Sequence, residues 1–194
     1  MTEAIFQPQP VVYAALLEAT QEIGFTMPSE VQTCSLLRTL AASKPGGQLL
    51  ELGTGTGLST AWLLDGMTPT TSLISIDNSG KWLQIAEQFL GKDSRLTLVE
   101  SDGEAWVLNN LSQRFDLIFA DTWHGKYLLL DEVLQMLTLG GLYIIDDMLP
   151  QPNWPEGHAE KAKKLVQYLE SREDLWLVKQ HWASGVIVAV KRGV

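Results

Sequence analysis

QLLELGTGTGLST, residues Gln48 to Thr60, runs from an apolar stretch through an acid and three glycines at alternate positions into a second apolar pattern. It reads as a strand, a tight turn and a helix. Gly53, Gly55 and Gly57 carry no side chain, so the backbone there can turn left-handed and lie close to a ligand. The spacing is G-x-G-x-G, whereas a dinucleotide fingerprint needs G-x-G-x-x-G, so the third glycine stands one position early. Glu51, at the end of the strand, is badly placed for a pyrophosphate and well placed for a cation or hydroxyls. A merely flexible loop is the plain alternative, and the strand before the turn and the helix after it weigh against that reading.

Downstream of this turn, strands and helices alternate, as a parallel sheet with crossover helices requires. Ser72 to Asp77, Arg95 to Asp102, Phe115 to Asp121 and Gly141 to Asp146 are the next strands. Ser79 is placed to cap the helix after the second strand. KYLLLDEVLQMLTL, Lys126 to Leu139, reads as a helix ended by Gly140 and Gly141. The chain then changes habit. DLWLVKQHW and GVIVAVKR are joined through Ala183, Ser184 and Gly185, too short a link for a crossover, so they must pair antiparallel. Upstream, Val11 to Thr20 has helical spacing, and Ser29 with Gln32 makes a capping-box start for a second helix that ends at Lys44, Pro45, Gly46 and Gly47.

Hydrophobic residues are 45% and charged residues 19% of the 194-residue chain, a composition able to bury a core. The formal charge of -9 would repel a polyanion and no basic stripe is visible, which points to a small-molecule partner rather than nucleic acid. The single cysteine, Cys34, excludes an internal disulfide and fits a buried thiol in a reducing compartment. MTEAIFQPQP lacks a basic flank and a long apolar core, and no stretch reaches the ~18 apolar residues of a membrane span, so a cytoplasmic protein without a membrane partner is expected.

The strands end in Glu51, Asp77, Asp102, Asp121 and Asp146. Ligands of doubly wound sheets sit beyond those ends. Asp77 can accept hydrogen bonds from the vicinal hydroxyls of a ribose, a feature shared by enzymes of several nucleoside cofactors. Adjacent strands lie ~4.8 Å apart, so Asp121, Asp146 and Asp147 can converge. Unpaired they would raise one another's pKa, and an all-oxygen set of this kind suits Mg²⁺, or Mn²⁺ or Ca²⁺, better than zinc.

On these residues the chain resembles class I S-adenosylmethionine (SAM) methyltransferases. The glycine turn is similar to their first motif, and the terminal hairpin to the way their sheet closes. The resemblance implies a Rossmann-like, doubly wound, mostly parallel seven-stranded α/β sheet with a C-terminal antiparallel hairpin and N-terminal accessory helices. A single domain, 1–194, is expected, with a helical cap at 1–45 and the core at 46–194. The resemblance further implies a SAM site built from Glu51, Gly53, Thr54, Gly55, Thr56, Gly57, Ser59, Asp77, Ser101, Asp102, Gly103 and Asp121, with Trp123 offering the adenine an apolar face.

The ADTW segment and the Gly140-Gly141-(x)₄-Asp146-Asp147 segment are similar to the cation-dependent catechol and caffeoyl-CoA type O-methyltransferases. That likeness implies methylation of a small acceptor with vicinal hydroxyls, a divalent cation at Asp121, Asp146 and Asp147, and pairing of two copies through the N-terminal helices. Two residues depart from the pattern. Asp147 replaces an asparagine, and His124 stands where the family has a lysine base, with Lys126 two positions further on. Either His124 or Lys126 is therefore the expected base. A metal-independent methyltransferase, a nicotinamide-dependent oxidoreductase and a SAM-binding protein without catalysis are the competing readings.

Overall fold

A computed structural model describes residues 8–151 and 154–193. Residues 1–7 of the expected cap and 152–153 of the connection after the fifth strand lie outside the described residues. The strands are β1 (Gln48–Leu52), β2 (Ser72–Asp77), β3 (Leu96–Glu100), β4 (Phe115–Ala120), β5 (Leu137–Ile145), β6 (Leu175–Gln180) and β7 (Val186–Lys191). They form one sheet in the order β3-β2-β1-β4-β5-β7-β6. β1 to β5 pair in parallel, and β7 lies antiparallel between β5 and β6, as the short connection between the last two strands demands. The expected seven-stranded architecture with a closing hairpin is the one observed.

Alternation along each strand divides the apolar side chains between two cores. Leu49, Leu73, Leu117, Phe119 and Ile144 face α1 (Tyr13–Glu22), α2 (Val31–Ala42), α3 (Leu58–Gly66) and α4 (Gly80–Leu90). Leu50, Ile76, Ile118, Tyr143 and Ile145 face α5 (Gly103–Asn109), α6 (Leu130–Gln135) and α7 (His158–Ser171). A strand buried on both faces needs this near-continuous apolar run. Trp62 of α3 is fully buried, with the Tyr13 ring edge-on at 5.7 Å and the Arg38 guanidinium 4.6 Å from its centroid. That packing fixes the N-terminal helices against the crossover layer. Among the described residues, no helix is long and apolar enough to cross a membrane.

Three local expectations are corrected. Ser29 does not cap α2, whose N-cap is Glu30 without a side-chain bond; the Ser29 hydroxyl donates instead to Asp121 Oδ2 at 2.9 Å. A carboxylate is the stronger acceptor. Ser79 likewise gives α4 no side-chain cap, and its backbone N–H donates to Asp77 Oδ1. Finally, the predicted helix Lys126 to Leu139 is helical only over Leu130–Gln135, and Gly140 and Gly141 lie inside β5 rather than ending a helix. Pairing jumps there from Phe115↔Leu137 to Leu117↔Leu142, a bulge that Gly140 accommodates at φ 74. The apolar run Leu137 to Leu139 fits helix or strand by period alone, and pairing with β4 decides for strand.

Candidate active site

Leu52, Ile76, Ala120 and Ile145 lie side by side in the registers of β1, β2, β4 and β5. The next residues, Gly53, Asp77, Asp121 and Asp146, therefore leave the sheet along one edge. Strand order reverses between β1 and β4, and a crevice opens at that switch point. It is a cleft of about 530 Å³, lined by the glycine turn, Asp77 and Ser101 toward β2 and by Lys126, Tyr127 and His158 toward β5.

On the β2 side, Gly53 and Thr54 both donate their N–H groups to the Ile76 carbonyl, and Gly55 donates to Asp77 Oδ2 at 2.8 Å. The turn is thus preset by Asp77. Gly53 has φ 104, and a Cβ there would come within 2.8 Å of the Asp121 carbonyl, so the glycine permits the close approach of the β1 and β4 ends. Gly55 has φ 53, and a Cβ there would strike the Phe25 ring at 2.8 Å. Thr54 and Thr56 line the cleft while their hydroxyls bond Ser75 and Thr20, the latter tying α1 to the turn.

Of the residues expected to hold the cofactor, Gly53, Thr54, Gly55, Thr56, Ser59, Asp77, Ser101, Gly103, Asp121 and Trp123 border the cleft. Glu51, Gly57 and Asp102 do not. β1 runs one residue past Glu51, which leaves its carboxylate under the turn, fully buried and bonded by the Ser59, Thr60 and Ser75 hydroxyls. Burial pushes the Glu51 carboxyl up to about 7 against those hydrogen bonds. Gly57 serves packing, since a Cβ there would press Leu90 and Ala86. Asp102 caps α5 by accepting from the Ala105 N–H.

The loop after β4 carries His124, Trp123 and Lys126 to different neighbours. His124 lies against Gly103, where a Cβ would come within 2.6 Å of the imidazole Nδ1. Trp123 instead joins an aromatic wall, its ring 5.9 Å from Tyr127 and 6.0 Å from His158, with Trp154 4.6 Å from His158. Lys126 turns inward to 5% exposure and places Nζ 3.5 Å from Asp121 Oδ1. The left-handed Gly125 makes that turn, and its carbonyl accepts the Tyr143 hydroxyl.

The expected three-carboxylate metal set is not assembled. Among the described residues no group of three or more His, Cys, Asp or Glu side chains is gathered to hold a metal ion. Two of the three acids have other partners. Asp121 is shared by Ser29 and Lys126, and Asp146 accepts from the Ser184 hydroxyl and the Asp147 N–H. Asp147 sits in the left-handed region at φ 59. Burial first, and Asp121 second, push the Asp146 carboxyl up to about 7.

The sequence places an acceptor pocket at the N-terminal helices and the loop Met148 to His158, with Trp154 between prolines as a lid or a spacer, and Trp154 and His158 border the cleft; Phe25 and Tyr127 also border it and were not singled out. His158 is 8% exposed; Nε2 lies 3.2 Å from the Tyr127 hydroxyl, and Nδ1 is buried with no hydrogen-bond partner among the described residues. Burial, then the charges of Lys126 and Lys161, hold the His158 pKa below its ordinary value. The ring is therefore neutral near pH 7.

A family model described as a methyltransferase domain matches residues 50–148. The O-methyltransferase hkm8 of Aspergillus hancockii is 31% identical over 139 residues, which is 67% of this chain and 54% of that protein. The chain spans about half the length of the curated relatives it matches. Among solved structures, an O-methyltransferase of Bacillus cereus in complex with SAH superposes with a TM-score of 0.85 at 16% identity, covering 97% of this chain and 94% of that one. TomG, an O-methyltransferase of Streptomyces achromogenes in complex with SAM, gives 0.79 at 18% identity, with 97% and 93% covered. At those identities the likeness is one of fold.

Proposed function

This chain belongs to the methyltransferase-domain family, and from that premise we propose that it transfers the methyl group of SAM to an oxygen of a small acceptor without a divalent cation. One observation carries the reading. A single cleft joins a glycine turn preset by Asp77 to an aromatic wall beside a buried lysine–carboxylate pair. The first half suits an adenosine and the second an acceptor ring.

When bound, SAM supplies a methyl group activated by its sulfonium. The protein's share is positioning and exclusion of water. Asp77 retains lone pairs for ribose hydroxyls, and Gly103, Ser101 and His124 border the side expected for the base. Trp123, Tyr127 and Trp154 offer faces for an acceptor ring. Burial pushes the Tyr127 phenol up to about 12, so it stays protonated and is able to donate to an acceptor oxygen, while neutral His158 holds its hydroxyl. Of the two expected bases, Lys126 is paired as an ammonium with Asp121 and has no lone pair to take a proton, and His124 rests on Gly103, so the reaction leans on positioning.

The net charge of -9 supports a small acceptor over a nucleic acid, and the buried Cys34 thiol, pushed up by burial and nearby carboxylates, supports a reducing compartment such as the cytoplasm. Pairing of two copies through α1 and α2 belongs to the same reading; exposed Val11 and Met27 beside them support it, and sedimentation velocity tests it. Titration calorimetry with SAH and with NAD is the direct test. SAH should bind and NAD should not, and turnover on catechol-type probes should persist in excess chelator. Tighter binding of NAD than of SAH overturns the reading.

A further inference from the structure

We infer that the Lys126 ammonium is a built-in counter-ion that occupies the electrostatic place of a divalent cation and keeps such cations out of the cleft. This rests on the reading of the cleft as a methyl-transfer site only for its catalytic meaning; the exclusion of cations stands on geometry alone.

Five carboxylates line the cleft, Glu30, Asp77, Asp121, Asp146 and Asp147, and Lys126 is the one lysine or arginine among the described lining residues. Its side chain is 5% exposed and that of Asp121 13%. Taking an ammonium so far out of water is costly unless it is paired, so the amine is held there by the acids around it. Its Nζ lies 3.5 Å from Asp121 Oδ1, so one positive charge stands at the end of β4, in the cleft that Asp146 and Asp147 also line and where the acids would otherwise repel one another.

The loop is shaped for this task. The left-handed Gly125 turns the chain after His124, and the Lys126 N–H returns to the Trp123 carbonyl at 3.2 Å. A Cβ on Gly125 would strike Leu52 at 2.9 Å, so the turn lies tight against β1 and aims the next side chain inward. A dication entering the cluster would meet the ammonium beside Asp121 Oδ1, while Oδ2 is already bonded to Ser29. Repulsion at such a distance in a poorly screened site outweighs what the remaining oxygens return.

The test is metal binding, read without turnover. Mn²⁺ is titrated into wild-type protein, Lys126→Met and Lys126→Arg, each saturated with SAH, and followed by the electron-spin signal of free Mn²⁺. Wild type and Lys126→Arg should show no saturable site over the titrated range, and Lys126→Met should bind Mn²⁺ saturably, at least about tenfold more tightly than the weakest affinity that range can detect, because removal of one buried charge leaves the acids unpaired. An Asp121→Asn change made in the Lys126→Met protein should abolish the gain. Lys126→Gln, folded by its circular dichroism melt, replaces the methionine variant if that one does not fold. Saturable Mn²⁺ binding by wild type, or no gain in folded Lys126→Met and Lys126→Gln, overturns the proposal. Failure of SAH to bind wild type would overturn the methyltransferase reading instead, and the Mn²⁺ titration without SAH would still decide the counter-ion.

Discussion

Gly55 shows how a residue chosen for one reason acts through another. On sequence grounds a side chain at 55 fills space needed by the ligand. The structure puts Phe25 there first, with its ring edge against Trp82 at 5.2 Å. Gly55→Ala should therefore cost about 1–3 kcal/mol from φ 53 and the Phe25 contact, read by denaturant unfolding, and part of that should return in a Phe25→Leu background. An unchanged midpoint would mean that Phe25 yields freely. His158 makes a second residue-scale prediction. His158→Phe keeps the shape of the wall and removes the partner of the Tyr127 hydroxyl. kcat/KM for the acceptor should fall about tenfold, the factor of one hydrogen bond of about 1.4 kcal/mol, with the Kd for SAH unchanged. A weaker SAH complex would put the ring on the cofactor side.

At the scale of elements, the segment between α1 and α2 is the roof of the cleft, and few bonds tie it down. Phe25 to Glu30 border the cavity, and the Ser29 hydroxyl crosses to Asp121 at the end of β4. Ser29→Ala leaves that half-buried carboxylate one donor short. It should cost about 1 kcal/mol of stability and speed hydrogen exchange over residues 25–30 while exchange in α3 stays unchanged. Uniform acceleration would instead signal global destabilisation. The elements also mark where sequence reading fails. The register jump at Gly140 and Gly141 places Leu137 to Leu139 in β5, and no local pattern distinguishes that run from the end of a helix.

For the molecule as a whole, buried acids behind the cleft set the response to pH. Burial pushes Glu51 from 4.5 up to about 7, so the folded chain holds a proton there that the unfolded chain has released. The folded state binds more protons across that interval, and stability falls as pH rises. The contribution is fully present below 4.5 and is lost by the time pH passes about 7. At about 1.4 kcal/mol per pKa unit the loss amounts to roughly 3 kcal/mol for this group. Melting temperature should decline from pH 5 to pH 8, and Glu51→Gln should flatten the decline. A wild-type melting temperature that rises over that range would contradict the burial of a carboxyl without a countercharge.

Local signals were sufficient for the order of elements, the glycine turn, the acids at the strand ends and the closing hairpin. Each depends on periodicity, glycine placement or connection length, and these act within a few residues. Asp77 and the turn were legible for that reason. Which way a side chain faces after the strand ends was not. Glu51 went beneath the turn because β1 continues one residue beyond it. His124 came to rest on Gly103 and Lys126 beside Asp121, with the left-handed Gly125 between them against Leu52 of β1. His158 reached the cleft because α7 starts beside Tyr127, 31 positions away in the chain. Contacts across such separations are set by packing between layers, and packing also delivered a lysine to the carboxylates where sequence pattern alone called for a metal.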